Sequence, residues 1–281
     1  MGGLTMLDKI NSNLLKEKLI KIKMNGYINN DPDNVIKISL DMMKCIGSVD
    51  YELRDELIYS TFVKWTINNV ITSEQMHQLL KISLDEEHLF YKIGEKDTDS
   101  VFTRTFSLLF IPLALYLDSN TKFLTKEETI YIKDRVIKYL ELEKDIRGYV
   151  VEKGWAHSTA HGADALDEIA KSQYINYDEL LEILHAIKNR VCINNYTYIN
   201  KEDDRLVTAV MTVFSRNLID DNEIVEWIKD FSNIEKTGKY PEEHHLIVNI
   251  RNFLRSLYFE MLYKKSPEIF TKAISETLEN L

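Results

Sequence analysis

Glycine and proline are scarce: the chain of 281 residues holds nine of the first and four of the second. Average usage would supply roughly 34 of the two together. A chain this poor in both lacks the tight turns of an all-β protein and the glycine loops of most nucleotide-binding folds. Cysteine is nearly absent too. Cys45 and Cys192 are the only two, far apart and in no metal-like spacing. Two free thiols fit a reducing cytosol and a cytoplasmic protein. Basic charge is also short, with 35 Lys+Arg against 45 Asp+Glu and a net charge of −10. Nucleic-acid binders draw most of their affinity from neutralising phosphates, so no nucleic-acid partner is expected. No long hydrophobic run occurs. The most apolar stretch, Leu108 to Leu117, is too short to span a bilayer, so no membrane partner is expected either. The N-terminal residues match neither a signal peptide nor a myristoylation site. Abundant Ile, Lys and Asn hint at a low-GC bacterial source.

What is present reads as helix. Asp31-Pro32 supplies an N-cap and a proline at the first helical position, and Thr125-Lys-Glu-Glu128 is a capping box. Asn176 stands three residues before Glu179, and Ser266-Pro267-Glu268 marks another start. Between such signals, apolar residues recur at helical spacing, as in Leu180, Leu184, Ile187 and Val191. About twelve helices follow, near 5–24, 33–46, 51–70, 73–92, 100–118, 126–143, 155–171, 177–193, 202–217, 221–231, 242–264 and 267–280. No Gly/Ser/Pro-rich linker divides them, so residues 1–281 read as a single domain.

A repeat is visible. Phe102-Thr-Arg104-Thr-Phe and Phe253-Leu-Arg255-Ser-Leu align, and Arg54 and Arg205 fit the same slot. A spacing of about 50 residues, with one slot near 154 missing its arginine, matches the length of HEAT or armadillo units. The expected fold is therefore an all-α, HEAT/armadillo-like α-solenoid, a right-handed superhelix of helical hairpins. Arg54, Arg104 and Arg205 are expected to pair with nearby acids such as Asp50, Asp99 and Asp203.

The missing slot is filled by the exceptional segment, Arg147-Gly-Tyr-Val-Val-Glu-Lys-Gly-Trp155-Ala-His157-Ser-Thr-Ala-His161-Gly-Ala-Asp164. At the middle of an array it would floor the concave face. On a continuous helix His157, His161 and Asp164 share one face. Ala156, Ala160, Ala163 and Ala170 form a second face, small enough to admit a close neighbour. Three readings fit: a metal site on His157 and His161, with a divalent ion as possible cofactor; acid–base chemistry with Asp164 orienting His161; or a polar pocket, whose structural counterpart is a buried hydrogen-bond network that merely joins two repeats of an interaction scaffold. In the pocket, Trp155 is an apolar wall, His157 and His161 are neutral donors and acceptors, and Asp164 is an anionic end. Arg147 would pair with an acid or hold an anion. The pocket reading makes the chain a binding protein for a small molecule, protein or peptide, with no cofactor. The alternative is an enzyme, a metal-assisted hydrolase using His157, His161 and Asp164. A serine triad at Ser158 is disfavoured because Ser158 points about 100° away from His157.

This segment resembles the bacterial family known as domain of unknown function 2785, through Arg147-Gly-Tyr and Gly154-Trp-Ala-His-Ser-x-Ala-His-Gly-Ala-Asp164. Gly47-Ser-x-Asp50-x-Glu-Leu-Arg-Asp-Glu56, Ile93-Gly-Glu-x-x-x-Asp99-Ser-Val-Phe and Asp203-Asp-Arg205 extend the likeness over about 40 to 260. The resemblance implies a helical, HEAT-like fold and brings no activity or cofactor with it.

Overall fold

Capping side chains set the helix starts. Asp31 accepts from the N–H groups of Asp33 and Asn34 at the head of a helix whose first residue is Pro32. Thr125 and Glu128 bond each other's backbone N–H, at 3.0 and 3.2 Å. The Glu179 carboxylate reaches back to the N–H of Asn176 at 2.8 Å. Asp220 and Glu223 form a further capping box that the sequence reading did not single out. These signals sit where the apolar periodicity begins, so local chemistry and core burial specify the same boundaries.

The computed structural model describes residues 6–235 and 238–281. Met1 to Thr5, read above for signal and lipidation matches, lie outside the described residues. Twelve α-helices follow in order: α1 Met6–Met24, α2 Pro32–Lys44, α3 Ser60–Ile67, α4 Ser73–Ser83, α5 Ser100–Thr121, α6 Lys126–Leu142, α7 Ser158–Lys171, α8 Tyr177–Val191, α9 Glu202–Ser215, α10 Asp221–Lys229, α11 Glu242–Lys264 and α12 Glu268–Glu279. A π-helix, Glu52–Tyr59, leads directly into α3. The strands Tyr149–Val150 (β1) and Gly154–Trp155 (β2) pair antiparallel. The protein is thus all-helical apart from one small hairpin. Two predicted boundaries move. The helix expected over 73–92 ends at Ser83 and gives way to turns. The helix expected over 155–171 starts only at Ser158.

The chain divides into two compact units, residues 6–128 with 142–158, and 129–141 with 159–281. In the first, α2 lies against α4, and α5 is flanked by α3 and α4. Helix α5 is the centre of that core. It has 22 residues, and Phe102, Phe106, Phe110 and Leu117 are among the many it buries. By length and composition it is apolar enough to cross a membrane, which the stretch Leu108–Leu117 alone is not, yet 78% of its apolar window is buried in the protein. In the second unit α9 packs on α11 and α10 on α12, around Phe214, Trp227, Phe231 and Phe253.

The four repeat arginines do not occupy equivalent places. Arg54 and Arg104 are fully buried, Arg205 is 54% exposed, and Arg255 is exposed. Arg54 pairs with a nearby acid, Asp55, at 2.7 Å, whereas Arg104 pairs with Glu143 at 2.6 Å and Arg205 with Asp164 at 2.7 Å, both distant in sequence. For these two, packing brings the carboxylate and nearness in sequence does not.

Two predictions arise here. An added Cβ at Gly47 would lie 2.7 Å from the Thr103 backbone. Gly47→Ala therefore forces α5 outward and is expected to lower stability by about 1–3 kcal/mol in chemical denaturation. An unchanged midpoint contradicts the packing. Burial pushes the Cys192 thiol up to about 11. At about pH 8 its alkylation by iodoacetamide is expected to run on the order of a hundredfold slower than for an ordinary thiol, rising roughly tenfold per pH unit above that. Ordinary reactivity there would contradict the burial.

Candidate functional site

The exceptional segment folds as a hairpin followed by a helix. Glu152 and Gly154 take positive φ, +66° and +82°, which turns the chain between β1 and β2. The pairing continues past the strands, with Ala156 N–H donating to the Gly148 carbonyl and His157 N–H to that of Arg147, both at 2.9 Å. His157 itself has φ +54°. A left-handed residue cannot continue a right-handed helix, so α7 must begin after it. This corrects the expected helical face. His157 stands ahead of α7, while His161 and Asp164 lie on it.

The first unit holds Arg147, Trp155 and His157; the second holds His161 and Asp164. In the first, Arg147 grips Asp145 with two bonds, Nε to Oδ1 at 2.8 Å and Nη2 to Oδ2 at 2.6 Å, and also donates to the Thr98 carbonyl. Asp145 is fully buried. Hydrogen bonds from Arg147 to Asp145 raise the guanidinium's pKa above its ordinary value. Arg147 therefore pairs with an acid, as one of its expected roles had it. The indole of Trp155 stacks on the His157 ring, with centroids 4.7 Å apart and planes at 20°. Tyr149 meets Trp155 edge-on, at 5.1 Å and 77°. Trp155 is 40% exposed and Tyr149 55%. The Ser158 hydroxyl is buried and donates to the Asp145 carbonyl at 2.7 Å.

In the second unit His161 is buried on α7, and Asp164 is bound by Arg205 of α9. Gly162 packs on α6: a Cβ there would come within 2.5 Å of Leu140. The close neighbour at Gly162 is thus a leucine side chain. Ala160, Ala163 and Ala170 are buried on the same helix. Among the described residues, no group of three His, Cys, Asp or Glu is placed to hold a metal ion. A cavity of about 520 Å³ lies elsewhere in this unit, between Thr212 and Phe214 of α9, Ile224 of α10 and Phe270 of α12. It includes none of the site residues expected from the sequence.

What the sequence reading missed is the anchor behind the hairpin. The π-helix carries Arg54 and Asp55, and π-helical turns are uncommon and often found at functional sites. Arg54 donates to the carbonyls of Ser48 and Lys153, both at 2.6 Å. It also lies over the rings of Phe102 and Phe106, at 4.2 and 4.6 Å. Asp55 accepts from the Trp155 backbone N–H. Burial pushes the Asp55 carboxyl above the usual range, against the opposing pull of Arg54. Lys153 reaches Asp99 at 2.6 Å. Arg104 ties Glu143 to the carbonyls of Tyr91 and Lys92, which fixes the approach to the hairpin. A signal for this was present: Arg54-Asp55 and Asp99 belong to the motifs that carried the family resemblance.

Fold and site together define an all-helical protein with one aromatic hairpin clamped by buried arginines. Residues 89–259 match the family described as "Protein of unknown function (DUF2785)", and the chain belongs to that family. No curated protein and no solved structure matches it.

Gly154 is where the clamp is tightest. A Cβ there would lie 2.9 Å from Arg54 Nη2 and 3.0 Å from Tyr51 Cβ, at a φ that L-residues avoid. Gly154→Ala is expected to cost about 1–2 kcal/mol for the backbone alone. Glu152→Gly, at an exposed left-handed residue, is expected to shift stability by less than about 0.5 kcal/mol. Denaturant titration checks both, and equal effects would contradict the hairpin geometry.

Proposed function

We propose that the chain is a cytoplasmic, bacterial helical-repeat protein that binds a small molecule or peptide on the Tyr149–Trp155–His157 ring surface. One observation carries this reading. Arg147 and Asp164 of the motif are engaged in framework contacts, on Asp145 and Arg205, while its aromatic rings stand exposed. Trp and Tyr in such positions supply most of the energy of many interfaces. The HEAT-like, solenoid part of the reading is supported by the neighbours within each unit, where α2–α4, α3–α5, α9–α11 and α10–α12 pack two helices apart, as in stacked helical hairpins. The cytoplasmic part is supported by the two free thiols. The alternative, a metal-assisted hydrolase on His157, His161 and Asp164, has less behind it. Asp164 is committed to Arg205 and His157 stands outside α7.

The three tryptophans separate the options. Trp65 is fully buried, Trp155 is on the hairpin, and Trp227 touches Phe214, which lines the cavity. With 5-fluorotryptophan incorporated, a fragment and tripeptide library is titrated by 19F NMR, with resonances assigned by single Trp→Phe variants. Binders are expected to shift the Trp155 resonance and to lose their effect in Tyr149→Ala. Binders that move only Trp227 would transfer the site to the cavity, and a library without effect on Trp155 would contradict the ring surface.

A further inference from the structure

We propose that the ring surface receives a basic polypeptide segment, whose arginine or lysine side chains lie on Tyr149 and Trp155. This rests on the binding reading above and adds what is bound. Two exposed rings, Tyr149 and Trp155, meet on the hairpin, edge to face at 5.1 Å.

Charge selects the occupant. The three segments bound to one another here, residues 50–56, 95–99 and 145–157, contain nine carboxylates and only four cations. Three of those cations are turned to the framework. Arg54 is buried, Arg147 is chelated by Asp145, and Lys153 holds Asp99. Glu152 in the hairpin turn and Asp97, 3.8 Å from the Arg147 guanidinium, are exposed, while Asp50 and Glu52 pair with Lys16 and Glu56 lies 4.0 Å from Lys23. A cation over an aromatic face is attracted by the ring quadrupole, most strongly at Trp, and flanking carboxylates add to that attraction. An acidic segment would be repelled at the same place. Guanidinium suits it best, because a planar cation stacks on rings and bonds carboxylates in one plane. The rings stand on the hairpin, with Val151 in its turn exposed as well. Such an open surface favours a chain laid across both rings over a single enclosed molecule.

The test uses the full chain and three labelled octapeptides, alternating Arg/Gly, Glu/Gly and Ser/Gly, read by fluorescence anisotropy at about 0.15 M salt. The Arg/Gly peptide is expected to bind, and Tyr149→Ala/Trp155→Ala to weaken it by about tenfold or more with every charge retained. Asp97→Asn/Glu152→Gln is expected to weaken it by about threefold, while the same charge loss at Glu226→Gln/Glu279→Gln changes it by less than about twofold. Circular dichroism and the Trp65 resonance confirm that each variant is folded. Equal binding to the ring variant would mean general adhesion to an acidic protein and would overturn the proposal. So would failure of the Arg/Gly peptide to bind at millimolar concentration. Ser/Gly binding as tight as Arg/Gly, and lost in the ring variant, would overturn the basic occupant and leave the ring surface standing.

Discussion

Two arginines without solvent contact hold the first unit together, and the exposed hairpin depends on them. A buried guanidinium is tolerated only when its donors are satisfied and its charge is compensated. Arg104 meets this with Glu143, itself fully buried, and with carbonyls of the turn after α4. Arg54 balances its charge on Asp55, sets Nη1 and Nη2 on two carbonyls and its face on two phenylalanine rings, and leaves only Nε without a hydrogen bond. Each therefore has one lowest-energy arrangement, and each ties a helix to the chain around the hairpin. A two-residue strand pair has little stability of its own. It is ordered here because Arg54, Asp55 and Asp99 grip its backbone and its lysine from behind.

That division of labour gives the motif its meaning. Its polar residues read as catalytic when taken as a list, yet most face inward as framework. Ser158 and Arg147 both close on Asp145, one on its carbonyl and the other on its carboxylate. The hairpin shows solvent its rings, Tyr149 and Trp155, with His157 stacked behind the indole. A surface of rigid aromatics with few rotatable bonds loses little entropy on binding, which suits recognition.

The helices were legible because capping chemistry and apolar spacing are local. Asp31, Thr125 and Asn176 all mark true starts. The site was legible by location only. Nothing in Trp155-Ala-His157 announces a left-handed His157, so helical spacing was carried three residues too far and produced a shared face with His161 that does not form. The partners of Arg104 and Arg205 were misassigned for a related reason. Asp99 is close in sequence to Arg104, but Glu143 lies 39 residues away, and only tertiary packing brings it near. The buried pairs also explain why the apparent repeat is uneven: Arg54 and Arg104 belong to such clamps, while Arg205 and Arg255 do not.

Amide hydrogen exchange at Trp155 in an Arg54→Met variant tests the clamp most directly. The Trp155 N–H donates to Asp55, and Arg54 holds both Asp55 and the neighbouring Lys153 carbonyl. Loss of the guanidinium is expected to abolish protection at Trp155, Ala156 and His157 while α8 and α11 of the second unit keep theirs. Undiminished protection of the hairpin amides in a folded Arg54→Met protein would show that the hairpin stands without the buried arginine, and would contradict the dependence described here.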